Sequence, residues 1–313
     1  MNSEIQKAAQ IIQDGGLVAF PTETVYGLGA DATNPLAVAR VFEVKNRPQF
    51  DPLIVHVADL RQAEILVTQF PQAALKLAQK FWPGPLTLVL PKGSVIPDLV
   101  TSSLLSVALR VPNHPLALEL ILASGRPLAA PSANPFGGIS PTTAQHVRKS
   151  LGDKIDLILD GGPCSVGVES TVVSFTGEAP VLLRPGGLSL EDIEAVIGPV
   201  TIGSSTPGAP QAPGQLESHY APRTPMALLD RIPELDKNKK TGLLSLDPPS
   251  DFSPFKAVEI LSSSGDLREA ASNLFAAMRR LDELGLDQIV ALRVPSQGLG
   301  RAINDRLTRA AHP

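Results

Sequence analysis

With 313 residues, 43% of them hydrophobic, and a formal net charge of −4, the chain is long enough for two domains with real apolar cores. Charge is balanced along it: residues 1–200 hold 14 Lys and Arg against 18 Asp and Glu, and the remainder 13 against 13, so neither part has the basic excess of a protein whose main work is gripping nucleic-acid backbone. The lone Cys164 excludes an intrachain disulfide framework, and no apolar run reaches the length of a bilayer span.

The start, Met1-Asn2-Ser3-Glu4, lacks a signal peptide's basic and apolar regions, so we expect a soluble cytoplasmic protein without a membrane partner. Ser3 and Gln6 have capping-box spacing, Ile5, Ala8, Ala9 and Ile12 share a helical face, and Gly15-Gly16 close this first helix. An apolar strand over 17–20 then runs into Pro21-Thr22-Glu23-Thr24-Val25-Tyr26-Gly27-Leu28-Gly29-Ala30. So many polar groups after a core strand suit a strand end facing a ligand; a surface turn is an equally good reading. Asn34-Pro35 opens a helix that carries Val38, Val41 and Phe42 to about residue 44, followed by Lys45-Asn46-Arg47-Pro48.

Residues 53–57 read as a strand containing His56, 71–82 as a helix broken by Pro83-Gly84-Pro85, and 86–90 and 107–111 as strands. A helix over 115–123, a short strand over 128–130 and a long turn over 131–138 follow. The pattern continues with a helix over 142–151, strands over 157–159, 170–175 and 181–183, and a capped helix over 189–197. Residues 203–214 contain only Gly, Ser, Thr, Pro, Ala and Gln and read as a semi-extended linker. Beyond it, strands near 226–229, 242–246, 257–261 and 288–292 alternate with helices over 267–284 and 301–311. The expected class is α/β with layered sheets and helices.

Polar residues gather at strand ends: Thr24 after the first strand, Lys45 and Arg47 after a helix, His56 and Arg110 within apolar strands, Ser132 and Asn134 in a turn, Ser170 at a strand start, and Arg184 at a strand end. Each has a plain structural account. Lys45 and Arg47 complement a helix C-terminus, His56 suits a core histidine, and Ser132 and Asn134 form turns. Arg110 is harder to set aside, because an arginine among apolar residues needs an anionic partner. Together these cations and hydroxyls suit an anionic ligand bearing phosphate and carboxylate. Walker, GxGxxG and GxSxG patterns are missing, and the five histidines and one cysteine have no zinc spacing.

At these residues the chain resembles the threonylcarbamoyl-AMP synthase family, of YrdC-like fold, in its long two-domain form. The matching segments are PTETVYGLGADA, KNRP followed by PLIVHV, FWPGPLTLVL, VALRVP, PLAAPSANPFGGISPT, GVESTVV and LLRPGG, in order through residues 5–198. HYAPRTP and GLGRAINDRLTRAA resemble the long form's linker and extra domain. The resemblance implies a twisted, mixed, open sheet with flanking helices over 1–200. A linker over 201–225 would close over the active site, and a smaller Rossmann-like α/β domain would fill 226–313.

It further implies synthesis of threonylcarbamoyl-adenylate and pyrophosphate from ATP, L-threonine and bicarbonate, with magnesium entering on ATP. The product would pass to the machinery that threonylcarbamoylates an adenosine beside the tRNA anticodon. By motif position, threonine would meet Thr24, His56, Arg110, Ala130 and Ser170. ATP would meet Arg47, Asp51, Ser106, Ser132, Ser140, Arg184 and Tyr220, and the chemistry falls to Lys45, Arg47, Ser132 and Asn134. The family commonly has asparagine at Asp51, where a carboxylate would repel triphosphate unless it recruits magnesium or turns to a cation. The rival reading is an RNA-binding module of the same fold, against which the charge balance stands.

Overall fold

The computed structural model describes residues 3–203 and 218–312. In the first domain the elements run α1 (Ser3–Gln13), β1 (Val18–Phe20), β2 (Gly27–Asp31), α2 (Pro35–Lys45), β3 (Ile54–His56), α3 (Leu60–Ile65), α4 (Gln72–Phe81), β4 (Leu86–Pro91) and α5 (Asp98–Thr101). They continue with β5 (Ser106–Arg110), α6 (Pro115–Ser124), β6 (Leu128–Ala129), α7 (Ala144–Leu151), β7 (Leu157–Ile158), β8 (Thr171–Ser174), β9 (Val181–Arg184), α8 (Leu190–Ile197) and β10 (Thr201–Ile202). The second domain holds β11 (Met226–Leu229), β12 (Thr241–Ser245), β13 (Ala257–Ile260), α9 (Leu267–Asp282), β14 (Gln288–Leu292) and α10 (Gly300–Ala310).

The first sheet has ten strands in the order β10-β9-β8-β4-β5-β3-β6-β2-β1-β7 and mixes parallel with antiparallel neighbours. The second is four-stranded and parallel, in the order β11-β14-β12-β13. Both bear out the mixed sheet and the Rossmann-like second unit expected from the sequence. Because β10 pairs with β9, the first sheet reaches two residues into the expected linker (201–225), most of which, over 204–217, lies outside the described residues.

Helix α1 buries Ile5, Ala8, Ala9 and Ile12 against Ala117, Leu120 and Ile121 of α6, as its face predicts. Helix α2 starts where Asn34 accepts hydrogen bonds from the Leu36 and Ala37 amides. It ends at Asn46, whose left-handed φ of 51° turns the chain so that Arg47 leaves the helix axis. Helices α3 and α5 and strand β10 carry too few periodic residues to be read in advance.

The polar stretch after β1 is shorter than its composition implies, because β2 begins at Gly27 and pairs with β1 antiparallel. Glycines usually weaken a strand, but here they admit the Phe20 ring. A Cβ on Gly29 would lie 2.7 Å from Phe20 Cε1. We expect Gly29→Ala to lower the unfolding free energy by about 1–3 kcal/mol through overpacking. Urea unfolding followed by circular dichroism measures this, and an unchanged midpoint would contradict the steric account.

Candidate active site

Register brings the site together. Strands β3 and β5 are parallel with His56 opposite Arg110, while β6, antiparallel to β3, sets Leu128 opposite His56 and leads into Ala130. On the far side β8 follows Ser170, and Arg184 of β9 pairs with Val172. These strand ends border one pocket. Arg47, bonded to the Asp51 and Pro52 carbonyls just before β3, lines it together with Ile54 and His56 of that strand and Arg110 of β5.

Of the residues singled out in the sequence, Arg47, His56, Arg110, Ala130, Ser132, Ser170, Arg184 and Tyr220 line this pocket. The others stand behind the wall or beside it. Thr24 is fully buried and meets the Thr22 hydroxyl at 2.8 Å, while Thr22 itself faces the pocket. The Lys45 ammonium is sealed in, donating to the carbonyls of Ser132 (2.5 Å) and Asn134. It thereby supports the turn that presents Ser132. The Asn134 amide donates to the carbonyls of Pro135 and Gly138, both at 2.8 Å, and braces the same turn. Ser106 opens β5 at its opposite end from Arg110. Ser140 donates to Glu169 at 2.5 Å from behind.

Asp51 is fully buried and turned to Arg47, 2.9 Å from its guanidinium. Arg47 also donates to the carbonyls of Asp51 (3.0 Å) and Pro52 (2.8 Å), so the pair fixes the loop before β3. The repulsion expected of a carboxylate at this position is thus met by a cation of the chain. Burial pushes the Asp51 carboxyl up, and Arg47 opposes that rise. Burial, then the neighbouring Arg47, pulls Lys45 well below the ordinary lysine range.

Three residues escaped the sequence reading: Glu169 and His219 line the pocket, and Glu23 touches it only through Arg110. Glu23 lies 2.7 Å from Arg110 and accepts the Asn113 amide. Glu169 lines the wall, and its partner, Arg306, comes from the second domain. His219, next to Tyr220, also faces the pocket, with ring contacts to Phe136 (5.8 Å) and Tyr220 (4.1 Å). The strings PTET, VEST and HYAP contained all three, but nothing local marked which polar member would point inward. Among the described residues the buried charges in and behind this wall are the cations Lys45, Arg47, Arg110, Arg184 and Arg306 against the acids Glu23, Asp51 and Glu169. Such an arrangement favours an anionic ligand.

Residues 10–186 match the Sua5/YciO/YrdC family, described as telomere recombination, and residues 188–312 match the threonylcarbamoyl-AMP synthase C-terminal domain. The chain belongs to this two-domain family. It is 46% identical to the threonylcarbamoyl-AMP synthase of Pyrococcus abyssi over 98% of this chain and 94% of that one. With the Bacillus subtilis synthase it shares 44%, covering 98% and 93%. The crystal structure of P. abyssi Sua5 complexed with L-threonine superposes with a TM-score of 0.93 at 44% identity, covering 98% of this chain and 94% of that one. A variant of that protein with alanine at a consecutive histidine and tyrosine aligns with a TM-score of 0.92 at 43% identity, covering 98% and 92%.

Burial lowers His56 and His219 to about 3, with Arg110 adding to the effect on His56. Both are neutral when folded, yet take up protons near 6.5 when unfolded, so the unfolded state binds more protons as pH falls below that value. Their contribution is whole above pH 6.5 and is lost toward pH 3, at up to about 1.4 kcal/mol per pH unit for each. Urea unfolding from pH 8 to 4 should show this acid slope, and His219→Gln should make it shallower by about one such increment. Parallel slopes for the two proteins would contradict a buried neutral His219.

Proposed function

We infer that this chain is an L-threonylcarbamoyladenylate synthase, joining L-threonine, bicarbonate and ATP into threonylcarbamoyl-AMP and releasing pyrophosphate. The observation that carries this reading is one pocket that gathers Arg47, Arg110 and Arg184 with a neutral histidine, His56. Arg110, opposite neutral His56 on the neighbouring strand, suits an amino-acid carboxylate, and Arg47 and Arg184, lining the same pocket, suit phosphate. Its homology to proteins named for this activity supports the same assignment.

Arg110 holds the threonine carboxylate with its planar fork, in competition with Glu23. Thr22, Ser170 and Ala130 border the threonine side chain, and Thr24 acts through Thr22. The amine attacks the carbon of bicarbonate, forming the N–C bond and expelling water overall. A carbamate oxygen then attacks the α-phosphorus of ATP, the new O–P bond forms, and pyrophosphate leaves in line with the bonding pair. Catalysis here consists of positioning and charge neutralisation.

Arg47 and Arg184 take up phosphate charge, and Ser132, held by Lys45 and Asn134, meets the nucleotide. Tyr220 covers the pocket and packs on Phe275 of α9 with ring centroids 5.5 Å apart. It thereby helps exclude water from a hydrolysable mixed anhydride. Asp51 acts on ATP only through Arg47. Magnesium enters as the ATP complex, carried by the phosphates. Asp51 and Glu169 each already meet an arginine.

The product goes to the tRNA threonylcarbamoyl-transfer machinery, and we place the protein in the cytoplasm. No described helix is long and apolar enough to cross a membrane.

Pyrophosphate release from ATP with bicarbonate, screened across amino acids, should require threonine. Arg110→Ala should cost about 2–5 kcal/mol, read as a rise in the threonine KM, and Arg110→Lys should recover only part of it. An unchanged threonine KM in Arg110→Ala would remove Arg110 from the substrate site, and release without threonine would reject the synthase assignment.

A further inference from the structure

Arg306 projects from α10 of the second domain and is completely buried. Its Nε donates to Glu169 Oε2 at 2.8 Å, and its Nη1 to the Pro185 carbonyl at 3.0 Å and Asp305 Oδ2 at 2.6 Å. The guanidinium carbon lies 5.2 Å from the centre of the Tyr220 ring. Arg306 does not line the pocket, but Glu169 and Tyr220 both do.

The contacts around this group are tight on both sides. The other oxygen of Glu169 is taken by Ser140 at 2.5 Å, and Arg279 of α9 donates to the carbonyls of Ile139 and Ser140. Just before Glu169, a Cβ on Gly167 would come within 2.4 Å of Ser272 Cα in α9. The second domain therefore grips the chain on both sides of the Glu169 carboxylate.

A carboxylate in a wall that receives triphosphate needs a committed cation. Burial alone would raise the Glu169 carboxyl, but Arg306, then Arg184 and the Ser140 hydroxyl outweigh it and leave the group ionised. With Arg306 gone, that charge would face the incoming phosphates or draw on Arg184.

We propose that Arg306 is a positioning residue for ATP, supplied by the second domain: it holds Glu169 against Ser140 and seats the Tyr220 ring over the pocket. The identity of the ligand as ATP rests on the synthase reading above; the contacts of Arg306 with Glu169 and Tyr220 do not.

The test is calorimetric titration of the full chain with Mg-ATP and, separately, with L-threonine, alongside steady-state pyrophosphate release. Arg306→Met should weaken ATP binding by about tenfold or more, while threonine affinity stays within about twofold. Adding Glu169→Gln should recover most of the ATP loss, because the orphaned charge is then removed; a purely structural role would make the double variant worse. Arg306→Lys, which keeps the charge without the fork, should fall between wild type and Arg306→Met and serves where Met prevents folding. Equal losses for both ligands, or no recovery in the double variant, would overturn the proposal. If wild type bound ATP yet released no pyrophosphate with threonine, the synthase reading would fail while the ATP titrations still decided the role of Arg306.

Discussion

Burying an arginine costs several kcal/mol unless something meets its charge, and the pocket of this protein is assembled by meeting that demand repeatedly. Arg47 is met by Asp51 and two carbonyls, Arg110 by Glu23 and the Gly84 carbonyl, and Arg306 by Glu169 and Asp305. Lys45 is met by backbone oxygens, and Arg184 by the Ser170 carbonyl and hydroxyl. Asp305 lies in α10, while Glu23, Asp51, Gly84, Ser132 with Asn134, and Glu169 with Ser170 sit in five different connections between strands. Charge burial therefore fixes loops that the sheet alone would leave free to wander, and those loops form the wall.

This has a consequence for binding. Cations already quenched by internal acids do not present a bare positive field, so a ligand must offer more than charge. It must displace or share carboxylates held 2.7 and 2.9 Å from their arginines. A bidentate carboxylate at Arg110 and a polyphosphate at Arg47 can do so, because each returns several charge-assisted hydrogen bonds at once. A single monovalent ion returns fewer such bonds.

Much of this was legible in the sequence, and the gaps have physical causes. The alternation of strands and helices, the caps at Asn34 and Ser189, and Arg110 among apolar neighbours were all local signals. Glycines in β2 hid a strand, because their reason for being there, the Phe20 ring, belongs to the preceding strand. Which polar residue of a motif lines the pocket was not local either. Thr22 lines the pocket and Thr24 stands behind it because of a turn closed by the Thr22 hydroxyl. Lys45 resembles a helix-end cation from its neighbours alone, and only the fold brings the Ser132 and Asn134 carbonyls to it.

The role of the second domain, not its fold, is where sequence reasoning stopped, and the packing explains why it cannot be treated as an appendage. Its apolar core, built around Leu274, Phe275 and Ile303, also takes in Val25, Ile139, Val168 and Tyr220. Val25 and Tyr220 line the pocket, and Ile139 and Val168 adjoin Ser140 and Glu169. Loosening α9 or α10 would expose that shared apolar surface and release the Arg306 clamp in the same event. The site and the second core therefore share their free energy of assembly. A chain lacking residues 226–313 must replace both the apolar cover and the cation that Glu169 requires.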